Sequence, residues 1–370
     1  MNKYDGFREA VLTFKDTGSY CKYPKGSRSY KKFWEQETDR CLNGYNLGWD
    51  NIPGYYYFYL NYSRIQIVKP RVDSKGIIIY NPDGTVQGDR TEDFANWWDG
   101  DYKYFHYLEE AEKGGKHGVV LKARGKGYSF KGGSMLNRNY FLLRGSKSYA
   151  LAAEKEYLIK DGLLTKAWEM MSFIDTNTAW SKRRQFVNLP MHKRASYESS
   201  RDGIKTEAGY KSEIIGITLK NDANRARGKR GKLMLFEEGG KFAALLQAWN
   251  ISRDSMEQGN IVQGLMVAYG TGGTEGADFS SLQEMFDNPK GYNILPVNNI
   301  WDEGKETTEC GFFVPDYMNL EGFMTPDGES KVPEALVYIE KDRKIVLENT
   351  RDTTAYKRRC AEHPITTREA

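Results

Sequence analysis

Short apolar runs along the chain alternate with longer stretches in which apolar residues recur at helical spacing. The runs at 119–121, 233–236 and 261–269 are bounded by glycines and charged residues, which is typical of short buried strands. Helical spacing over 102–113 and 165–173 predicts helices beside them. Strand–loop–helix units in series predict an α/β fold, with a mainly parallel sheet flanked by helices on both faces.

The same patterns predict further elements outside these units. They are helices over 30–42, 150–160, 242–256 and 333–348, a strand over 212–219, and a hairpin with a strand over 76–80 and a turn over 81–84. Parallel sheets bind ligands at the carboxyl ends of their strands. The loops that follow Ala123, Phe236 and Tyr269 are therefore the places to look for chemistry.

Composition narrows the function classes. The 370 residues correspond to about two domains of roughly 150 residues each. A net charge of +4 excludes a histone-like polycation, and 39% apolar content excludes a disordered chain. The four cysteines form no CxxC pair, so neither a disulfide framework nor a zinc knuckle is predicted. No apolar run approaches the ~20 residues of a membrane helix.

The segment 119–131, VVLKARGKGYSFK, reads as a strand, a glycine-rich loop and the start of a helix. This arrangement cradles phosphates with backbone N–H groups, and Ser129 stands where a hydroxyl binds Mg²⁺. In the common pattern GxxxxGK[ST], Gly127 takes the second glycine position but Tyr128 takes the lysine position. The lysines near enough to replace it are Lys122, Lys126 and Lys131. A basic surface loop without a ligand would have a similar composition.

Two further strands end in residues that suit nucleotide hydrolysis. The apolar run 233–236 is followed by Glu237, suited to the Mg²⁺ shell, and Glu238, suited to activate water. Aspartate is more usual at the first of these positions. The run that ends at Tyr269 continues into Gly270-Thr271-Gly272-Gly273, a tip that can sense a γ-phosphate. Either strand alone is equally compatible with an ordinary strand end.

Taken together, these motifs resemble the ATPase region of the tailed-phage terminase large subunit, the motor that packages viral DNA. Residues 122–131 resemble the deviant Walker A of the lambda-like members, in which Gly-Tyr-Ser replaces Gly-Lys-Ser. Residues 224–238 resemble the basic lead-in and the Walker B strand, and 268–273 resemble the coupling motif. The segments 57–62 and 280–289 also resemble the family.

The resemblance implies a P-loop NTPase of the additional-strand, catalytic-glutamate type that binds ATP and Mg²⁺. It implies catalytic roles for Glu238, Arg124 and Thr271, and metal binding by Ser129 and Glu237. It implies nucleotide contacts from Lys122, Arg124, Gly125, Lys126, Gly127, Tyr128, Ser129 and Lys131. Adenine could stack on one of the aromatic residues upstream, which are Phe94, Trp97, Trp98, Tyr102 and Phe105, although aromatic residues at helical spacing are more often core.

The resemblance also implies a division of the chain. Residues 1–90 form an aromatic, turn-rich N-terminal extension, 91–289 form the P-loop ATPase core, and 290–370 form a C-terminal subdomain and a linker toward a nuclease domain. Nuclease activity is not expected from this chain. The acidic residues beyond Pro289 include Asp302, Asp316, Asp327 and Asp342, and none of them ends a clear apolar strand.

The partners implied by the resemblance are double-stranded DNA, bound without regard to sequence, the portal protein and the small terminase subunit. It implies a homo-oligomeric ring, a pentamer, when docked in the host cytoplasm, whereas a monomer is possible in isolation. Basic clusters at 182–184, 192–194 and 225–232 could contact DNA phosphates, and Arg225 or Arg227 could act as an arginine finger. With a net charge of only +4, solvated surface is the favoured interpretation of each cluster.

Two other functions remain open from the sequence. A P-loop DNA translocase or helicase of non-phage origin would share the same nucleotide motifs. A nucleotide-dependent DNA-binding scaffold with little hydrolysis is the second, because Tyr128 replaces the usual lysine. Glu238 argues against the scaffold, since a carboxylate at that position serves mainly hydrolysis.

Overall fold

The computed structural model describes residues 6–48, 50–82, 84–185, 188–201, 203–220, 222–272, 279–350 and 353–370. Its strands are β1 Tyr45–Asn46, β2 Asn51–Ile52, β3 Arg64–Pro70, β4 Gly88–Phe94, β5 Gly118–Lys122, β6 Lys147–Ala152, β7 His192–Arg201, β8 Ile204–Thr218, β9 Leu233–Phe236, β10 Glu257–Gln258, β11 Ile261–Val262, β12 Leu265–Gly270, β13 Val297–Asn298, β14 Glu309–Cys310 and β15 Phe312–Val314.

The α-helices are α1 Glu9–Thr17, α2 Arg28–Asn43, α3 Gly54–Tyr62, α4 Asp99–Lys113, α5 Tyr128–Leu142, α6 Glu156–Ile159, α7 Leu163–Asn177, α8 Leu245–Met256, α9 Ser280–Asp287, α10 Val332–Asn349 and α11 Thr353–Glu362. Among the residues described, none of these helices has the length and apolar character needed to cross a bilayer.

A seven-stranded sheet organises the fold, with the strand order β15-β5-β12-β9-β6-β8-β7. All neighbours in it run parallel except β7, which pairs with β8 in antiparallel register. β12 lies between β5 and β9, so an additional strand separates the glycine-rich loop from the acidic strand. The α/β prediction and the predicted additional-strand arrangement are confirmed. The carboxyl ends of these three strands meet at one edge of the sheet.

The core lies on both faces of this sheet. On β9, Leu233 and Leu235 face one apolar cluster, whereas Met234 and Phe236 face the other. A strand covered on both faces becomes apolar at every position, which is why these runs show no alternation in the sequence. α5 and α7 cover the first face, and α8 and α9 cover the second.

The N-terminal segment packs against the core through its aromatic helix. Every residue of α3 is buried, including Tyr56, Tyr57 and Phe58. Arg138 of α5 donates from Nε to the carbonyl oxygen of Cys41 at 2.9 Å, and from Nη2 to that of Leu42. α2 is therefore attached to the helix that follows the glycine-rich loop.

Three elements differ from the sequence prediction. The helix predicted over 150–160 is wrong, because 147–152 form strand β6 and only 156–159 form a helix. Alanine and leucine favour a helix locally, but β6 gains hydrogen bonds from β8 and β9 on both sides. The run 261–269 divides into β11 and β12. The predicted hairpin near 76–84 has only isolated bridges, and Asp83 in its turn lies outside the described residues.

The sheet also extends beyond the predicted core range of 91–289. Its edge strand β15 pairs with β5, with Phe313 opposite Leu121. The segment after Pro289 therefore contributes a strand next to the glycine-rich loop. Asp316, for which no role was predicted, follows that strand by two residues.

Candidate nucleotide site

The glycine-rich loop leaves β5 and turns sharply into α5. Gly125 and Gly127 have φ values of +79° and +68°, in the left-handed region that residues with a side chain rarely adopt. Gly127 is the N-cap of α5. In the described part of the chain, no protein acceptor receives the N–H groups of Gly125, Lys126 or Gly127. These groups and the helix N-terminus offer an anion the donors that a phosphate needs.

Two of the three candidate lysines are held in buried ion pairs. The Lys126 ammonium lies 3.2 Å from a carboxylate oxygen of Asp316 and donates to the Asp316 carbonyl at 2.6 Å. The Lys131 ammonium lies 3.0 Å from a carboxylate oxygen of Asp101. Burial lowers the pKa of Lys126, although the charge of Asp316 opposes the shift. Both lysines therefore fasten the loop to its surroundings.

Lys122 is placed differently, at the carboxyl end of β5. Its ammonium donates to the Thr271 hydroxyl at 3.1 Å and lies 4.0 Å from a carboxylate oxygen of Glu238. It also lies 5.8 Å from the centre of the Tyr128 ring. Of the three lysines, Lys122 alone contacts both Thr271 and Glu238.

Tyr128 occupies the position of the usual lysine but belongs to the core. Only 4% of it is exposed, and its ring centre lies 4.7 Å from that of Tyr104 and 5.6 Å from that of Tyr269. Burial raises the pKa of its hydroxyl well above the ordinary value. The Tyr128 ring therefore presents an apolar surface to the Lys122 side chain.

Ser129 and Glu237, the two residues predicted as metal ligands, are in hydrogen-bond contact. The Ser129 hydroxyl donates to one oxygen of Glu237 at 2.5 Å, and the Tyr269 hydroxyl donates to the other. Burial, followed by the charge of Glu238, raises the pKa of Glu237 to about 7. Hydroxyl and carboxylate oxygens are ligands that Mg²⁺ prefers, and it commonly uses only one or two from the protein, so this pair fits the ion.

No group of three or more His, Cys, Asp or Glu residues able to hold a metal occurs among the residues described. A site with a single acidic ligand and a hydroxyl is of the kind completed by water and phosphate oxygens, as Mg²⁺ sites on nucleotides are. The chemistry of the edge therefore suits a metal that arrives with the nucleotide.

Glu238 lies at the same edge in an unusual backbone conformation. Its φ of +51° and ψ of +52° place it in the left-handed region, which costs about 1–3 kcal/mol for a residue with a side chain. The next residues pack tightly on the coupling motif, since a Cβ on Gly240 would lie 2.4 Å from the carbonyl oxygen of Thr271. Gly273 of that motif lies outside the described residues.

Arg124 faces away from this group and toward the C-terminal segment. Its guanidinium lies 2.7 Å from a carboxylate oxygen of Glu362, and its backbone N–H donates to the Glu362 carbonyl at 2.8 Å. The neighbouring His363 ring lies 3.2 Å from Asp316, which also pairs with Lys126. The end of α11 is thus attached to the glycine-rich loop at two places.

The five aromatic residues considered for adenine lie in three different settings. Phe94 and Phe105 are buried, with Phe105 stacked on Tyr56 at 5.0 Å between ring centres. Trp97 and Trp98 line a cleft of about 330 Å³ beside the N-terminus of α4. The remaining residue, Tyr102, donates to Asp50.

The basic clusters make many contacts within the chain. The Lys182 ammonium lies 3.9 Å from the Tyr210 ring centre, and burial lowers the pKa of this lysine to about 8. Arg183 lies 4.1 Å from the ring centre of Tyr197. Further intramolecular contacts of basic residues in these clusters are Arg184 with Asp175, His192 with Glu213, Arg194 with Glu207, Arg225 with the Thr218 carbonyl, and Arg227 with Asn224.

Sequence reasoning missed several residues that complete this site. Asp101, Asp316 and Glu362 hold the loop, and Tyr269 holds Glu237. Tyr269 carried a signal, because it ends an apolar run and lies within the segment 268–273 that resembles the coupling motif. The three acids carried none, since only the tertiary fold brings them to the loop.

Comparison with known proteins gives a likeness of fold. No protein-family model matches the sequence, and no curated protein matches it. The ATPase domain of the Thermus phage P74-26 large terminase is similar with a TM-score of 0.42 at 12% identity, over 71% of this chain and 97% of that one. The HK97 large terminase is similar with a TM-score of 0.39 at 12% identity, over 69% of this chain and 49% of that one.

A third similar structure is the large terminase of a thermophilic bacteriophage in complex with ADP, with a TM-score of 0.40 at 8% identity. It is matched over 70% of this chain and 52% of that one. Each of these three proteins is a bacteriophage large terminase. At such identities the likeness concerns the fold, and the chain spans about half the length of the latter two terminases.

Proposed function

We propose that this chain is a Mg²⁺-dependent ATPase of the terminase type, which uses ATP to move double-stranded DNA into a viral procapsid. One observation carries the ATPase proposal: Ser129, Glu237 and Glu238 lie at one sheet edge with Lys122 and Thr271. Lys122, the two glutamates and Thr271 reach it from the ends of the adjacent parallel strands β5, β9 and β12, and Ser129 reaches it from the first turn of α5.

Each residue then has a role that follows from its position. The free N–H groups of the loop bind the phosphates, and Lys122 binds the terminal phosphate because its ammonium is not held in a buried ion pair as those of Lys126 and Lys131 are. Ser129 and Glu237 hold Mg²⁺, which when bound neutralises phosphate charge. Glu238, whose carboxylate is partly exposed at this edge, orients the attacking water and accepts its proton.

Thr271 and Arg124 respond to the nucleotide in this proposal. Lys122 now donates to the Thr271 hydroxyl, so a phosphate that engages Lys122 alters a contact of the coupling motif. Arg124 leaves Glu362 when it turns toward the triphosphate, which alters the attachment of α11. Both changes transmit the state of the nucleotide to other parts of the chain, as a motor requires.

The DNA-packaging role rests on the motif resemblance and remains a proposal, as do a docked ring, contacts with a portal and a small subunit, and action in the host cytoplasm. The basic side chains of 182–184 are largely engaged with aromatic or acidic partners. Weak DNA binding by an isolated monomer is therefore expected, with a strong dependence on salt.

The decisive experiment compares the wild-type chain with Glu238→Gln in phosphate release and in binding of a fluorescent ATP analogue. We expect the variant to lose hydrolysis and to retain nucleotide affinity, because Gln keeps the shape but cannot accept the proton. Glu340→Gln, at an exposed carboxylate of α10 with no proposed role in the site, serves as the control. Equal turnover by wild type and Glu238→Gln would refute the assignment. Nucleotide binding without hydrolysis by the wild type would favour the scaffold.

A further inference from the structure

Tyr269 is a buried tyrosine whose hydroxyl is aimed at the proposed metal site. It lies on β12, the strand between β5 and β9, and only 1% of it is exposed. Its hydroxyl donates to one carboxylate oxygen of Glu237, while Ser129 donates to the other. A buried phenol needs a hydrogen-bond partner, and here the partner is the first acid of Walker B.

The helix opposite makes room for this hydroxyl. A Cβ on Gly132 would lie 2.7 Å from the Tyr269 hydroxyl oxygen, closer than real Cβ atoms approach. Gly132 stands inside α5, where glycine is less favourable than alanine by about 1 kcal/mol. A Cβ there would also lie 2.9 Å from a methyl carbon of Leu163, so glycine at this position lets both Leu163 and the Tyr269 hydroxyl pack against the helix.

The contact also gives a reason for glutamate at position 237, where aspartate is more usual. The longer side chain extends from the end of β9 and reaches the hydroxyls of both Ser129 and Tyr269. An aspartate, which is one methylene shorter, would not span to both. The carboxylate is thereby fixed at each of its oxygens.

On the basis of the proposed ATPase function, we infer that Tyr269 is a positioning residue that holds Glu237 oriented for Mg²⁺. Its hydroxyl fixes one carboxylate oxygen, and this leaves the other directed at Ser129. A freely rotating carboxylate would have to be ordered when the metal binds. Partners of this kind behind a metal ligand typically contribute 10- to 100-fold in affinity, that is, about one to two orders of magnitude.

The test uses Tyr269→Phe, which removes one oxygen atom, and Tyr104→Phe as the matched control. Tyr104 is also fully buried and packs on Tyr128, but its hydroxyl contacts Met135 and not Glu237. Mn²⁺ replaces Mg²⁺ so that free metal can be read by electron paramagnetic resonance in the presence of a non-hydrolysable ATP analogue. Nucleotide binding in EDTA and thermal unfolding are measured alongside.

We expect Tyr269→Phe to weaken Mn²⁺ binding by about tenfold or more and to leave metal-free nucleotide binding unchanged. Tyr104→Phe should change neither. In a Glu237→Asp background, Tyr269→Phe should have no further effect, since the shorter acid does not reach the hydroxyl. A purely structural role would lower the unfolding temperature without this dependence on residue 237.

Equal Mn²⁺ affinity of wild type and Tyr269→Phe would overturn the inference and leave the ATPase proposal standing. Absence of metal-dependent nucleotide binding by the wild type would instead defeat the proposed function itself. If Tyr269→Phe does not fold, Gly132→Ala carries the test, provided that it folds, because its methyl group would crowd the Tyr269 hydroxyl at 2.7 Å as well as Leu163 at 2.9 Å. Unchanged Mn²⁺ affinity in Gly132→Ala would then overturn the inference.

Discussion

Replacing each of the three loop lysines by methionine should separate phosphate binding from anchoring of the loop. Lys126 and Lys131 are in ion pairs whose side chains are at most 7% exposed. Removing one partner of a buried pair leaves a buried charge and costs about 3–5 kcal/mol. The loss for Lys126→Met should lie toward the lower end, because His363 still pairs with Asp316.

Lys122→Met should behave in the opposite way. The Lys122 side chain is 7% exposed, but its nearest carboxylate, on Glu238, is 4.0 Å away and 27% exposed, so less stability should be lost than at the two closer pairs, in which both partners are buried. A hydrogen bond to a charged group contributes about 1.5–3 kcal/mol, so loss of the phosphate contact should weaken ATP binding roughly 10- to 150-fold. Lys126→Met and Lys131→Met should bind ATP nearly normally under conditions in which they remain folded.

The assay pairs urea unfolding with titration calorimetry of a non-hydrolysable ATP analogue for all three variants. The double variant Lys126→Met/Asp316→Asn is the control, because removing the orphaned charge should recover much of the lost stability. The reasoning is refuted if Lys126→Met or Lys131→Met binds ATP poorly at wild-type stability while Lys122→Met binds it normally. Three equal and mild effects would mean that the loop does not cradle phosphate.

Two further predictions concern the contacts of the C-terminal segment. Burial acts to raise the pKa of Asp316, but the hydrogen bond from His363 and the charge of Lys126 hold it below the ordinary value. The folded state therefore binds fewer protons than the unfolded state, and ionised Asp316 stabilises the fold. In urea unfolding, Asp316→Asn should show the whole loss of stability above about pH 5, and the difference from wild type should shrink below about pH 4. A deficit that is constant with pH would contradict this. Glu362→Gln should change stability by less than about 1 kcal/mol, because Arg124 is 61% exposed, and should tighten ATP binding in calorimetry. Weaker binding would show that the pair supports the site.

The residues that meet at the sheet edge could be predicted because each follows an apolar run. Glu237 and Glu238 stand just after β9 and Thr271 just after β12, while Ser129 lies in the first turn of α5, behind the loop that leaves β5; parallel strands bring such ends together. The alternation of elements is enough for this step, since it needs no knowledge of which side chains touch. Their convergence was therefore available from the sequence.

The choice among the lysines was not available, because their partners are distant in the chain. Asp316 is 190 residues from Lys126 and follows β15, a strand of only three residues. β6 was misread for a related reason. Its local composition favours a helix, and only two neighbouring strands make it a strand. Partners that are distant in the chain determine both the lysine contacts and the strand conformation of β6. The periodicity of apolar residues carries no information about such partners.

Three features depart from the common P-loop pattern: tyrosine at position 128, the proposed use of Lys122 for phosphate, and glutamate at position 237. These features are physically connected. Tyr128 takes the lysine position, so Lys122 reaches the site from β5 above its ring. The centre of the Tyr128 ring lies 5.6 Å from that of Tyr269. Because Tyr269 is buried, its hydroxyl needs a hydrogen-bond acceptor within the protein. Glu237 supplies that acceptor and still reaches Ser129, which an aspartate would not do. A change at one of these positions toward the common pattern removes a partner of the next, so the effects of such changes on stability should not be additive.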